Sequence, residues 1–162
     1  MTDFRPSEGR KAQLLALKNA APDTPPEHAN VEWVEVQATE DGDLANWRLM
    51  HVRPRWIPEV TRPVSWEWIY TFGSPAFVQA GEIYRIHSGS RIRAATHPEP
   101  DDLVPGRKHV YAAGPLANAR VRYRAGDYLR LVEAFGAVID EIIVATPSPK
   151  PVEPAKTEQK TA

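Results

Sequence analysis

The chain has 162 residues, of which 42% are apolar and 25% are charged, and its net charge is −1. This length suits one domain with a proper core rather than two. The absence of cysteine excludes disulfides and thiolate metal sites. No apolar run approaches the ~20 residues that span a bilayer, and the first residues lack a signal-peptide core, so a cytoplasmic protein without a membrane span is predicted.

Sixteen prolines and five tryptophans shape the expected fold. Proline breaks helices and central strands, so this many predicts short elements joined by turns, while tryptophan favours an aromatic β core. Residues 1–10 are polar and are predicted to be flexible. Residues 11–20 are rich in Ala and Leu, which favour a helix, but the run is short and prolines follow it soon.

The next segments indicate two short strands with a turn between them. Residues 31–36 combine high strand propensity with partial alternation of apolar and polar side chains. Residues 40–43 form a turn cluster, EDGD. Leu44, Trp47 and Leu49 then return to the expected core.

Residues 53–65 contain three prolines and are predicted to form a long, stiff, extended loop. Loops of this length in compact domains are often functional or mobile. We expect Trp56, Ile57 and Trp66 to cap the core. The alternative is that they form an exposed partner patch.

The second half of the chain continues as short strands and turns. Strands are predicted at 66–72, 83–87, 109–111 and 121–123. The Gly-Ser-Pro sequence at 73–75 predicts a turn, and residues 96–106 form a second loop marked by prolines.

Residues 124–143 carry the strongest structural signal, that of a β-hairpin. Leu129 and Leu131 alternate with less apolar neighbours, as on a strand with one buried face. Gly136 lies where a tight connection can need a positive φ, and a second apolar run covers 138–143. The count of seven or eight short strands predicts an all-β sandwich or small barrel. Residues 146–162 are predicted to be a disordered tail.

Three sequence blocks, in this order, resemble the lamin tail domain family. The first is EWVEV at 32–36 with DLANWRL at 43–49. The second is YTF at 70–72, VQAGE at 78–82 and IHSG at 86–89. The third is GDYLRL at 126–131 with GAVIDE at 136–141. The chain is therefore similar to a bacterial-type, stand-alone member of the family.

The resemblance implies an immunoglobulin-like β-sandwich over residues 11–145, with a first strand at 13–17. Asn46 and His51 depart from the Gly and Asp that the family often has, and the coiled-coil rod of nuclear lamins is missing, so a filament role is not expected. The residues that carry the signature are Trp33, Leu44, Trp47, Leu49, Gly81, Gly126, Asp127, Leu129, Leu131, Gly136 and Asp140.

Positive charge is concentrated between residues 85 and 130, and the rest of the chain is acidic. Alternate residues of a strand share a face, so the arginines at 120, 122 and 124 are expected to project together. Aligned guanidiniums suit phosphate or carboxylate recognition. The simpler interpretation is a solvated sheet face. The candidate residues for partner or phosphate binding are Arg91, Arg93, Arg107, Lys108, Arg120, Arg122 and Arg124.

Catalytic motifs are not found. The five histidines lack metal-ligand spacing, and neither a nucleophile elbow nor a phosphate-binding glycine loop occurs. We therefore predict no enzyme activity, no cofactor and no metal. The first hypothesis is a non-catalytic interaction or structural module that binds a protein partner through loops and one sheet face. The alternatives are nucleic-acid binding through residues 85–130 and an enzyme site assembled near His51 and His87.

Overall fold

The computed structural model describes residues 11–20, 30–57, 60–89, 104–112 and 123–145. These ranges contain no α-helix. Their strands are β1 (Ala12–Lys18), β2 (Trp33–Ala38), β3 (Gly42–Asp43), β4 (Arg48–Ile57), β5 (Val60–Thr71), β6 (Phe77–Val78), β7 (Ile83–His87), β8 (Lys108–Tyr111), β9 (Tyr128–Val132) and β10 (Val138–Ile143).

The strands form two four-stranded sheets and one small ribbon. The first sheet has the order β1-β2-β7-β8, the second has the order β10-β9-β4-β5, and β3 pairs with β6. Every pair is antiparallel except β7 with β8, which is parallel.

Both sheets contribute side chains to a single apolar core. Val34 and Ile86 come from the first sheet, and Leu49, Leu129 and Leu131 come from the second. All five are fully buried. The all-β prediction is confirmed, and two sheets around one core are consistent with the predicted sandwich.

Trp47 is buried in this core immediately before β4, as predicted. Its backbone N–H donates to the carbonyl of Leu44 at 3.0 Å, and its carbonyl accepts from the N–H of Phe72 at 2.8 Å. The residue before it, Asn46, has φ of 65°, a left-handed conformation that Asn tolerates better than most residues.

The predicted loop at 53–65 is wrong, because β4 and β5 continue through it as two arms of one hairpin. Pro54 lies opposite Pro63, with a register shift between Arg53 and Pro54. Proline is tolerated on edge strands and at bulges because no ladder partner needs its missing N–H. β5 is an edge strand, and the pairing of β4 with β9 ends at Val52, so both prolines lie outside the four-stranded part of the sheet.

The first strand is confirmed at Ala12–Lys18, against the helix propensity of its residues. It pairs with β2, and the backbone N–H of Leu14 donates to Asp140 Oδ2 on β10 at 2.8 Å. Tertiary pairing therefore overrides the local preference. Asp140 was predicted as part of the core signature. It links the two sheets through this hydrogen bond and does not pack in the core.

The β9–β10 hairpin is confirmed. Gly136 has φ of 99°, and its N–H donates to the carbonyl of Glu133 at 2.9 Å. Gly81 and Gly126 of the signature also have positive φ, which glycine adopts at little cost.

Candidate partner-binding face

The outward side of the second sheet presents aromatic and charged side chains in two rows. Directly opposed residues of neighbouring strands share a face, so the register defines each row. The first row is Ile143, Tyr128, Val52 and Trp66, and the second is Glu141, Arg130, Met50 and Trp68. We call the outward side chains of Met50, Trp66, Trp68, Tyr128 and Arg130 the aromatic face.

Two tryptophans form the exposed end of the aromatic face. Trp66 is 58% exposed and Trp68 is 37% exposed. Their rings meet edge to face with centroids 5.2 Å apart. They lie on β5 at positions i and i+2, on either side of Glu67, which faces the opposite side of the sheet. Large exposed aromatic side chains of this kind are enriched where proteins bind one another.

Arg48 extends the tryptophan pair with a positive charge. Its guanidinium carbon lies 4.3 Å from the centre of the Trp68 ring. Among the residues that the structure describes, its side chain has neither an ion-pair nor a hydrogen-bond partner. A guanidinium placed over an aromatic ring keeps its N–H donors available, so Arg48 can donate to a carboxylate or a carbonyl of a partner.

The middle of the aromatic face is held by an ion pair. Arg130 Nε bonds Glu141 Oε2 across β9 and β10, and the Arg130 guanidinium lies 5.6 Å from the Tyr128 ring centre. The pair fixes the side chain of Arg130 over the tyrosine. Positive charge is therefore balanced in the middle of the face and unbalanced at its β5 edge, beside Trp68.

Behind Trp66 and Trp68, Glu67 anchors β5 to the rest of the second sheet. Its carboxylate lies 3.0 Å from His51 Nδ1, and His51 Nε2 lies 2.7 Å from Asp127 Oδ2. Burial alone would raise the pKa of Asp127, but hydrogen bonds from the Arg124 backbone N–H, His51 and Arg53 outweigh it and hold that pKa below its usual range. This buried network fixes β4, β5 and the turn before β9 relative to one another.

Tyr123 lies beside this network and joins it to the first sheet. Its ring meets the His51 ring edge to face at 5.2 Å, and its backbone N–H donates to Glu32 Oε2 at 3.0 Å. Burial raises the pKa of Tyr123, and the charge of nearby Glu32 raises it further. Tyr123 was predicted to end a short strand, but it lies outside any strand.

A second buried network occupies the outward side of the first sheet. His87 Nδ1–H donates to the Asn30 carbonyl at 2.8 Å, and His87 Nε2 accepts from His109 Nδ1–H at 2.8 Å. These tautomers are assigned from the hydrogen-bond pattern. Burial lowers the pKa of His87 to about 4, and the nearby His109 and Arg85 side chains act in the same direction, although its bond to Asn30 opposes the change. His87 is therefore neutral at pH 7.

Of the residues in the predicted arginine-rich site, the structure describes three, and two of these are paired with carboxylates. Arg107 Nε donates to the buried Glu35 carboxylate at 2.8 Å, and Lys108 Nζ lies 2.7 Å from Glu82 Oε2. Arg124 is exposed in the turn before β9. Four other candidates lie outside the described residues, namely Arg91, Arg93, Arg120 and Arg122.

Glu35 binds two of the arginines that lie between residues 85 and 130. Its Oε2 accepts from Arg85 Nε at 2.9 Å as well as from Arg107, and the Arg85 guanidinium lies 3.9 Å from the Trp33 ring centre. Burial would raise the pKa of Glu35, but these two hydrogen bonds outweigh it and lower the pKa. Trp33 was predicted to be part of the core signature, but it packs against Arg85 on the outer side of the first sheet. Nucleic-acid binding by this segment stays a prediction.

The expectation that Trp66 caps the core is wrong, because its side chain is exposed. The alternative interpretation, an exposed partner patch, fits Trp66. The available signal was the alternation in Trp66-Glu67-Trp68, which puts both tryptophans on one face of a strand. The side chains of Trp56 and Ile57 lie outside the described residues.

A scan against protein-family models and a search of curated proteins each found no match to the chain. Within the described ranges, no helix could cross a membrane. The same ranges hold no group of three or more histidine, aspartate or glutamate side chains placed to bind a metal ion.

Proposed function

We propose that this domain is a non-catalytic interaction module of the lamin-tail type, with an immunoglobulin-like sandwich that binds a protein partner through the aromatic face. One observation carries the proposal: Trp66 and Trp68 are exposed side by side, with the guanidinium of Arg48 4.3 Å from the centre of the Trp68 ring. Trp, Tyr and Arg dominate the binding energy of protein interfaces. The aromatic face combines all three on one rigid sheet.

The surrounding structure supports binding rather than chemistry. His51 and His87, the residues of the enzyme hypothesis, are buried within hydrogen-bond networks that tie strands together. The aromatic face, in contrast, exposes the side chains of Trp66 and Trp68 to solvent. Its side chains come from three neighbouring strands of the second sheet, β5, β4 and β9, so a partner would meet a preformed surface.

Site-specific photo-crosslinking in cells of the source organism tests the proposal. Benzoylphenylalanine at position 66 or 68 is expected to give crosslinked products that Arg48→Glu weakens. The matched control is the same probe at Phe77, which is 73% exposed but lies on the β3–β6 ribbon. Equal products from positions 77 and 68, or products that Arg48→Glu leaves unchanged, would refute binding through the aromatic face.

A further inference from the structure

The first row of the aromatic face places one small side chain between two large ones. Val52 is buried, and its neighbours in the row are Tyr128 on one side and the exposed Trp66 on the other. Neighbouring strands lie about 4.8 Å apart, so two strand spacings separate the backbones at Tyr128 and Trp66 by roughly 9.6 Å.

A polyproline II segment has a repeat of the same length. It has three residues per turn and rises about 3.1 Å per residue, so residues i and i+3 share one edge at about 9.3 Å. A segment of this kind that crosses the strands would place two such residues against Tyr128 and Trp66, above Val52. Proline-rich segments bind aromatic surfaces in this conformation, and because it is preformed, little ordering entropy is lost.

The chain carries a segment of this composition directly after β10. Residues 146–154 read TPSPKPVEP and lie outside the described residues. Four of the nine are prolines and four others precede a proline, and both kinds of position favour extended or polyproline II backbone. Pro151 and Pro154 are spaced by three, so they would share one edge.

This segment begins beside the aromatic face. Ile143, the last residue of β10, belongs to the first row and pairs with Tyr128. Val144 is buried, and its N–H donates to a carbonyl in the turn before β9 at 2.8 Å, which fixes the point where the chain leaves the sheet. Residues 146–150 span about 15 Å as polyproline II, and β9 is one strand spacing of about 4.8 Å away. They are therefore long enough to turn back and bring Pro151 to Tyr128.

Arg48 provides a charge that complements the same segment. Its guanidinium lies 4.3 Å from the Trp68 ring centre, and no carboxylate of the described chain pairs with it. Trp68 follows Trp66 by two residues on β5, and Glu153 directly precedes Pro154. A proline at position 154 that packs on Trp66 therefore brings the glutamate toward Arg48.

We propose that residues 151–154 dock on the first row as a polyproline II segment, with the two prolines against Tyr128 and Trp66 and the glutamate paired with Arg48. The contact is intramolecular, so a high effective concentration offsets its small size. The exposed Trp66 described above corresponds to the undocked form. This inference rests on the proposed function and names its regulation, because a protein partner of the aromatic face must displace the segment.

Paramagnetic relaxation in the purified full chain tests the proposal. The chain has no cysteine, so Ala155→Cys carries a nitroxide label at one defined position. The indole N–H signals of Trp66 and Trp68 are expected to lose intensity with the label and to regain it when the label is reduced. The amide signal of Phe77, on the β3–β6 ribbon, should keep its intensity.

Matched proline variants separate docking from mere tethering. Pro151→Ala combined with Pro154→Ala should abolish the loss of intensity, because it removes both side chains that pack on the aromatic rings. Pro147→Ala combined with Pro149→Ala should keep the loss, because these prolines lie outside the docked residues. Equal behaviour of the two double variants would overturn the inference.

Reversing the proposed ion pair provides a second test. Glu153→Lys should lower the docked fraction about twofold or more, and adding Arg48→Glu should restore it. Glu158→Lys, which reverses the other glutamate of residues 146–162, should leave the docked fraction unchanged. A label at position 155 without effect, or equal effects of Glu153→Lys and Glu158→Lys, would overturn the inference.

Mixing nitroxide-labelled chains with isotope-labelled chains tests whether the contact forms within one chain. Signal loss that passes between chains in the mixture would show a contact between copies and would also overturn the inference. If the label has no effect while the probe at position 68 still crosslinks another protein, the inference fails and the proposed function stands. If that probe also gives no product, both fail. If both hold, the variant at 151 and 154 should increase the crosslinked products, because the competing segment no longer docks.

Discussion

Acidification should weaken this fold through His87, whose side chain is fully buried between β2 and β8. The folded chain holds the pKa of His87 at about 4, against 6.5 for an ordinary histidine. Between these two values the unfolded chain binds a proton that the folded chain does not. The contribution of His87 to stability is therefore fully present above pH 6.5 and is lost as the pH falls toward 4.

The size of the effect follows from the two pKa values. One pH unit of difference corresponds to about 1.4 kcal/mol, so the contribution of His87 to the free energy of unfolding should fall by roughly 2 kcal/mol between pH 7 and pH 5. The groups that face His87 are His109 and Tyr111 on β8 and Arg85 on β7. A substitution at residue 87 alone leaves these three neighbouring residues unchanged.

Urea unfolding curves at pH 7, 6 and 5 measure this contribution. His87→Gln and His87→Phe should both lower stability at pH 7 and reduce its fall toward pH 5 by roughly 2 kcal/mol. Tyr111→Phe should keep the wild-type pH dependence, because it keeps the stacked ring and the histidine. Wild type and His87→Gln losing the same free energy between pH 7 and pH 5 would refute the reasoning.

Three further outcomes are expected from urea unfolding at pH 7. Glu35→Gln should cost about 2–3 kcal/mol, because it leaves two partly buried guanidiniums without their carboxylate; an unchanged midpoint would show that they rehydrate freely. Trp47→Ala should cost about 3–5 kcal/mol, whereas Phe135→Ala, at a side chain 95% exposed, should stay within about 0.5 kcal/mol, and equal losses would contradict the assigned core. Gly136→Ala should cost about 1–2 kcal/mol because its φ is 99°, and a neutral result would mean that the turn changes type.

Local patterning predicted the β9–β10 hairpin well. Leu129 and Leu131 alternate on a strand with one buried face, and Gly136 lies at the turn. These features depend on residues close in sequence, so a single segment contains the information. The same holds for Trp47, whose position after a turn cluster predicted a buried side chain.

The prolines in 53–65 led to the wrong prediction of a loop, because whether a strand tolerates proline depends on its position in the sheet. Pro54 and Pro63 would break a central strand, yet both lie where only β4 and β5 pair. Nothing in the segment itself shows that β5 is an edge strand. The exposure of Trp66 has the same origin, because the face on which it lies becomes an outer face only when the sheets are assembled.

The charged residues were the least predictable part of the candidate site. Counting Arg107 and Lys108 as free cations was reasonable from the sequence. Their partners, Glu35 and Glu82, are distant in the chain and are brought close by the pairing of β7 with β2 and β8. Long-range pairing therefore decides which charges remain available to a partner.

The position of Tyr123 between the two sheets affects how they separate next to His51 and Glu32. It belongs to neither sheet, yet its ring rests on His51 and its backbone is bonded to Glu32. Displacing it would expose a histidine of one layer and a carboxylate of the other at the same moment. The two layers should therefore come apart here as one cooperative unit, with Ile86 and Leu129 losing exchange protection together.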